Sequence, residues 1–201
     1  QPAFREFYEE HHDSISLDMV IDRNDRIAEL LDSDEIDVAT MEWWDGRPGF
    51  VYRSWKKEPL VVIVGSSHSW SNRASIPAEA LTEERIIGGE SASGTGRILR
   101  ESLGDLVSGL RVGFQLGSTE AVKRAVRNGL GISMVLASSV ADEVSSGTLK
   151  ALQIDGFSME KELMVVYRRG LPADSIVVRF AAHLTAKEED AGVPIQPEDN
   201  L

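Results

Sequence analysis

Leu60–Val64 is a run of five apolar residues, four of them β-branched. Such a run suits a strand covered on both faces, and so a sheet held between two layers of helix. The rest of the 201-residue chain carries the patterns that could supply those layers. Phe4, Phe7, Tyr8 and His11 recur at the spacing of one helical face, which predicts an amphipathic helix over 2–13. Ile15, Leu17, Met19 and Ile21 alternate with Ser16, Asp18 and Val20, a strand pattern. Asn24 or Asp25 is placed to cap a short helix carrying Ile27, Leu30 and Leu31. Ile36–Met41 reads as a buried strand, and Asp45–Gly49, with its Gly, Pro and Gly, must turn.

Beyond Val64 the same alternation continues. A helix bearing Ile98, Leu99 and Leu103 follows the Gly- and Ser-rich stretch Gly88–Arg97. Strands are expected at Leu110–Leu116, Gly131–Leu136, Leu149–Ile154 and Lys161–Tyr167. Helices are expected at Thr119–Asn128, with Gly129 as its C-terminal stop, at Ser138–Ser145 and at Ser175–Lys187. Alternating strands and helices define an α/β class with mainly parallel sheets. In such sheets ligands bind at the carboxyl ends of strands, where loops enter helix N-termini. Glu188–Leu201, with two prolines and five acids, is expected to be a flexible acidic tail.

Charge and composition narrow the function. Arg plus Lys is 21 and Asp plus Glu is 33, a net charge of −12. Nucleic-acid affinity rests on basic side chains neutralising phosphates, so this chain by itself is a poor grip for a phosphate backbone. The acidity is uneven: residues 1–59 carry 15 acids and 7 bases, whereas 60–160 carry 11 and 9. That step near residue 59 hints at two lobes. With no cysteine there is neither a disulfide framework nor a thiolate metal site, and a reducing, cytoplasmic setting is expected. No apolar run approaches the roughly 20 residues that span a bilayer, so no membrane role is expected. The four histidines have no metal-ligand spacing, and no metal or cofactor is expected.

No Gly-x-Ser-x-Gly elbow is present to support a hydrolase nucleophile. Gly89–Arg97 spaces two glycines as a phosphate loop does but lacks the Lys-Ser/Thr that reaches phosphate and magnesium. What remains is Ser91, Ser93 and Thr95 where a strand end feeds a helix. Free backbone N–H groups and hydroxyls there form an anion site, or one hydroxyl simply caps the helix. The arrangement recurs at Gln115–Glu120, where Gly117 allows a tight turn and Ser118 or Thr119 opens the next helix. Two such junctions point to binding of a small carboxylate, sulfate or similar anion.

The segment Leu116-Gly-Ser-Thr-Glu-Ala-Val-Lys-Arg-Ala-Val-Arg-Asn-Gly-Leu-Gly-Ile-Ser133 resembles the signature of the effector-binding domain of LysR-type transcriptional regulators. Glu90–Arg97 resembles that family's Glu-Pro-Gly-Ser-Gly-Thr-Arg loop, with Ala92 and Gly96 departing from it. Asp34-Glu-Ile-Asp-Val-Ala-Thr-Met-Glu42 and Leu60-Val-Val-Ile-Val-Gly-Ser-Ser-His68 are similar to two further family segments. The likeness runs in order from about Phe4 to Phe180.

The resemblance implies two Rossmann-like α/β subdomains joined by two crossover strands, of the type 2 periplasmic-binding-protein kind, with a cleft between them. Subdomain I would be 1–57 plus 162–187, and subdomain II 58–161. The family's winged-helix DNA-binding domain and first strand would precede Gln1 and are not in this sequence. The resemblance implies a regulator, not an enzyme, that binds a small anionic or amino-acid-like effector and contacts operator DNA only through that N-terminal domain. Ser91, Ser93, Thr95, Ser118 and Thr119 would bind the effector from one subdomain, and Asn24 and Glu42 from the other. The branch it looks most like includes regulators of sulfur assimilation, which suggests sulfate-like anions or O-acetylserine. Such domains pair antiparallel as homodimers, or as tetramers at full length. An acidic first helix (Glu6, Glu9, Glu10, Asp13) would then meet Lys123, Arg124 and Arg127. Trp43 and Trp44 replace small residues of the family, to line the cleft beside an aromatic effector or to pack between subdomains. A solute-binding protein of a transport system is the alternative on the same architecture.

Overall fold

A computed structural model describes residues 2–13, 15–89, 94–113, 116 and 118–189. The chain divides into two units, Gln1–Lys56 with Glu162–Leu201, and Lys57–Lys161. In chain order the elements are α1 (Pro2–His11), α2 (Asn24–Asp32), β1 (Val38–Met41), β2 (Phe50–Gly65), β3 (Ser75–Ile76), β4 (Arg85–Ile86), α3 (Gly94–Leu103), β5 (Arg111–Val112), α4 (Thr119–Arg127), β6 (Ser133–Leu136), α5 (Ala141–Ser145), β7 (Leu149–Ile154), β8 (Glu160–Arg168) and α6 (Ile176–Glu189). Strands β2 and β8 each belong to both units, β2 passing from the first to the second and β8 returning.

In the first unit the strand order is β1-β8-β2. Strand β1 runs antiparallel to β8, with Val38 opposite Tyr167 and Met41 opposite Met164. Because successive side chains point to opposite faces, the sheet builds two cores. Ala39, Met41 and Val166 meet Ile27, Ala28, Leu30 and Leu31 of α2. On the other face Val165, Tyr167 and Leu163 meet Phe7 of α1 and Phe180, Ala181 and Leu184 of α6. Helices α1 and α2 therefore cover opposite faces, and the segment 15–23 connects them. The strand expected at 15–21 is not formed: the segment pairs with no strand among the described residues, and Leu17, Met19, Val20 and Ile21 are exposed. A period-two pattern specifies two faces, but a strand also needs a neighbour for its N–H and C=O groups.

The second unit is centred on the five-residue apolar run. Val62 pairs with Met134 of β6 on one side and with Leu152 of β7 on the other. Leu60, Val62 and Val64 point into a cluster with Ile76, Leu81, Ile98 and Leu99. Val61 and Ile63 point the other way, onto Val122 and Val126 of α4 and onto Val140. The two-faced burial read from the sequence is thus realised. The expectation of mainly parallel strands needs correction. Strands β3 and β7, and β4 and β5, are parallel, but β2 runs antiparallel to both β6 and β7.

Local signals account for the element ends. Helix α4 opens on Ser118, whose Oγ accepts from the Ala121 N–H at 3.2 Å. It closes on Gly129 at φ +73°, whose N–H donates to the Val126 carbonyl, while the Leu130 N–H reaches the Ala125 carbonyl. Helix α2 departs from expectation. Its N-cap is Arg23, which makes no side-chain cap bond, and Asn24 is the first helical residue with its side chain turned elsewhere. No helix among the described residues is long and apolar enough to cross a membrane.

Candidate effector site

Strands β4 and β5 are parallel neighbours. Both strand-to-helix junctions therefore leave the sheet of the second unit at its carboxyl rim, where α/β proteins take ligands. After β4 the chain turns through Gly88 and Gly89, both left-handed at φ +73° and +72°. Two consecutive left-handed residues carry a steric cost for any side chain with a Cβ, so this turn into α3 requires glycines. The turn is fixed from behind by the buried Ser133 hydroxyl, which donates to the Ile87 carbonyl at 2.6 Å. Sequence reasoning took the glycines only as loop composition and did not single out Ser133.

Thr95, the second residue of α3, is nine-tenths buried. Ser118 sits at the second junction with its oxygen committed to capping α4, leaving its O–H to donate outward. Thr119 follows it as the first residue of α4 and is exposed. Ser91 and Ser93, also expected here, lie outside the described residues. At the rim of the second unit the structure thus brings Thr95, Ser118 and Thr119 to two helix starts whose N-terminal backbone favours negative charge.

Asn24 and Glu42 lie together in the first unit, but through the backbone. The Asn24 amide donates to the Trp43 carbonyl at 2.6 Å, and its oxygen accepts from the Glu42 N–H at 3.2 Å. Asn24 thereby clamps the chain leaving β1 onto the start of α2, across 18 and 19 residues of sequence. The two adjacent indoles have different roles. Trp44 is buried in the core of the first unit, edge-on to Phe50 and under the Arg47 guanidinium, whereas Trp43 is half exposed. Arg47 is itself held by Asp45 and Asp32.

Lys123 is corrected. It does not stand out as a free cation but is buried, with Nζ 2.5 Å from Glu120, 2.8 Å from Glu143 and 3.1 Å from the Ser139 carbonyl. Burial alone pushes its ammonium down, but the two glutamates outweigh that and hold it above its ordinary value. Lys123 in turn keeps the Glu143 carboxyl below the usual carboxylate range. Of the three basic side chains of that helix, Arg124 and Arg127 are exposed. A cavity of about 560 Å³ in the second unit is lined by Glu83, Glu84, Arg85, Arg111, Val112 and Leu130, among others. Neither Thr95 nor Ser118 is among its lining residues, and its mixed charges do not match an anion site.

Two α/β units sharing two through-going strands, with hydroxyl-bearing helix starts along one carboxyl rim, define a small-molecule-binding domain. The sequence model for the LysR substrate binding domain matches residues 1–188, and the chain belongs to that family. Among curated relatives, a RuBisCO operon transcriptional regulator of Allochromatium vinosum is 28% identical over 169 residues, 84% of this chain and 56% of the relative. The HTH-type transcriptional activator CmpR of Synechocystis is 27% identical over 186 residues, 92% of this chain and 61% of the relative. The chain thus spans little more than half the length of these relatives, which are transcriptional regulators. Among solved structures, the regulatory domain of Synechocystis CcmR in complex with 2-PG aligns at TM-score 0.77 and 26% identity, covering 92% of this chain and 89% of that one. A reduced form of OxyR aligns at TM-score 0.75 and 19% identity, covering 96% of this chain and 90% of that one, which bears on fold alone. The expected α/β architecture and the effector-binding class both stand, and the transport alternative is not favoured.

Proposed function

We propose that the chain is the effector-sensing and oligomerisation part of a longer LysR-type transcription regulator that works in the cytoplasm and has no catalytic activity of its own. It binds a small anionic or amino-acid-like metabolite through Thr95, Ser118 and Thr119, with Asn24 and Glu42 shaping the contribution of the first unit and Ser91 and Ser93 adding hydroxyls. Binding biases the conformational equilibrium of the dimer or tetramer and hence how attached DNA-binding domains meet an operator. The observation that carries this reading is Thr95, nearly buried in the first turn of α3, with the helix start at Ser118 following the parallel neighbour of β4. In a largely desolvated site a hydrogen bond from such a hydroxyl to a ligand is stronger than in water. The antiparallel homodimer is part of the same proposal, with the acidic face of α1 meeting Arg124 and Arg127 of a second copy. Lys123 is left out of that contact because Glu120 and Glu143 already hold it.

The test is thermal shift of the purified chain with 2-PG, sulfate, O-acetylserine and aromatic carboxylates. The first is chosen because CcmR was solved with it, the next two because of the sulfur-assimilation resemblance. A ligand at a hundred times its dissociation constant adds about 2.7 kcal/mol, a shift of several degrees. The expected result is a shift with one anion class that Thr95→Val removes while leaving the unliganded melting temperature in place. A shift that survives Thr95→Val takes Thr95 out of the site.

A further inference from the structure

Helices α1 and α6 pack side by side on the first unit's sheet, and their contact runs through two histidines. His11 closes α1 with its ring stacked on Phe7 at 4.2 Å. Its Nδ1 lies 2.9 Å from the Phe7 carbonyl, and its Nε2 lies 2.6 Å from a guanidinium nitrogen of Arg179 on α6. One turn along α6, the His183 Nε2 lies 3.1 Å from the Ala3 carbonyl, and its ring meets Phe7 edge-on at 5.3 Å.

These contacts fix the protonation state of His11 from both sides. A carbonyl only accepts, so Nδ1 carries the proton. A guanidinium only donates, so Nε2 offers its lone pair. The ring is therefore the neutral Nδ1–H tautomer. A proton added to Nε2 removes the acceptor and sets a second cation against Arg179. His183 differs, because its nitrogen donates to a carbonyl and does so in either charge state. Titratable and charged groups on the elements packed around His11 include these, among the described residues. Helix α6 brings Arg179 and His183. Helix α1 itself brings Glu6, Tyr8, Glu10 and His12, with His12 lying 3.3 Å from Asp13. Strands β2 and β8 beneath them present Trp55, Leu163, Val165 and Tyr167. Within this packed set Arg179 is the group whose contact reverses sign when His11 is charged.

We propose that the His11–Arg179 contact is a proton-released latch: α1 is docked on α6 while His11 is neutral and loosens when its imidazole is protonated. The contact stabilises the docked helix while the ring is neutral and is lost once the ring is protonated. Loosening α1 uncovers Phe7, which is buried, and removes the edge contact of Phe4 with Trp55.

The test is amide hydrogen exchange of the whole chain at about pH 7.5 and 5.5, corrected for intrinsic exchange, with the strands of the second unit as an internal reference. Residues of α1 are expected to lose protection several-fold at the lower pH while β2 and β7 of the second unit hold theirs. A long-range proton–nitrogen spectrum is expected to show His11 as the Nδ1–H tautomer at the higher pH. In His11→Gln the amide oxygen still accepts from Arg179 and does not titrate, so α1 protection is expected to be flat with pH. His183→Gln is expected to keep the pH response. Loss of α1 protection on acidification in His11→Gln, no loss in the parent chain, or the Nε2–H tautomer would each overturn the latch.

Discussion

In the second unit the strands form an unbroken series. Strand β5 pairs with β4, Ile86 of β4 bridges Ile132 ahead of β6, and β6, β2, β7 and β3 follow in order. In the first unit β1 pairs only with β8 among the described residues, and the segment 15–23 pairs with no strand there and leaves Ile21 88% exposed. Both units have helices on two faces and a dense apolar centre. They differ in whether the apolar pattern of the sequence is consumed. In the second unit it is spent inside two clusters, while in the first Leu17, Met19, Val20 and Ile21 are left outside. Burial of a side chain in a sheet depends on backbone pairing first, because an extended segment with unpaired N–H and C=O groups stays in water.

Cutting into the completed unit should have the largest effect. Ile63 is fully buried, with Ser133 opposite it on β6 and Ala151 on β7. Ile63→Ala is expected to cost about 2–5 kcal/mol in urea unfolding, from lost transfer energy and the cavity left behind. A cost below about 1 kcal/mol would mean that the second unit repacks freely and is no better consolidated than the first.

Next in size is the buried cation of α4. Lys123→Met keeps the aliphatic stem but leaves Glu120, Glu143 and the Ser139 carbonyl without their donor. Hydrogen bonds to charged groups contribute about 1.5–3 kcal/mol, and the exposure of Glu120 discounts that, so a loss of about 1–2 kcal/mol is expected. The pH dependence gives a second readout. Glu143 is held below its ordinary range by Lys123, so its contribution is present above the unfolded carboxylate range and fades as pH falls through the depressed one. Melting temperature in the parent chain should therefore drop on acidification below about pH 5 more steeply than in Lys123→Met. Equal slopes would show that the Lys123 pairs are energetically idle.

These two positions also mark how far the sequence could be read. Ile63 was legible because five successive apolar residues have one economical solution, a strand covered on both faces. The ends of α4 were legible because Ser118 and Gly129 act on backbone within four residues of themselves. Thr95 was legible as a hydroxyl at a helix start, and the resemblance added the family. Lys123 was misread because two of its three partners, Ser139 and Glu143, stand 16 and 20 residues away and outside its own helix. Asn24 was read as a cap by its type, yet its amide serves a turn 18 and 19 residues downstream. The antiparallel course of β2 was hidden because alternation of strands and helices does not reveal a strand shared by two units. The left-handed pair Gly88–Gly89 was visible as composition but not as a conformational requirement of the turn that presents Thr95.

The smallest expected effect on stability lies at the unconsumed pattern. Ile21→Ser alters a side chain that meets mostly water, so urea unfolding should change by no more than about 0.5 kcal/mol. Its consequence should appear in association instead. A cluster of exposed apolar residues favours contact with another chain. Sedimentation of the parent chain at rising concentration is expected to show self-association that Ile21→Ser weakens, and that Leu17→Ser weakens less, since Leu17 is only half exposed. The antiparallel dimer proposed through Arg124 and Arg127 would be salt-sensitive, whereas apolar association through 17–21 would persist at high salt. If Ile21→Ser instead costs as much as Ile63→Ala, the 15–21 segment is packed in solution, and the contrast between the two units disappears.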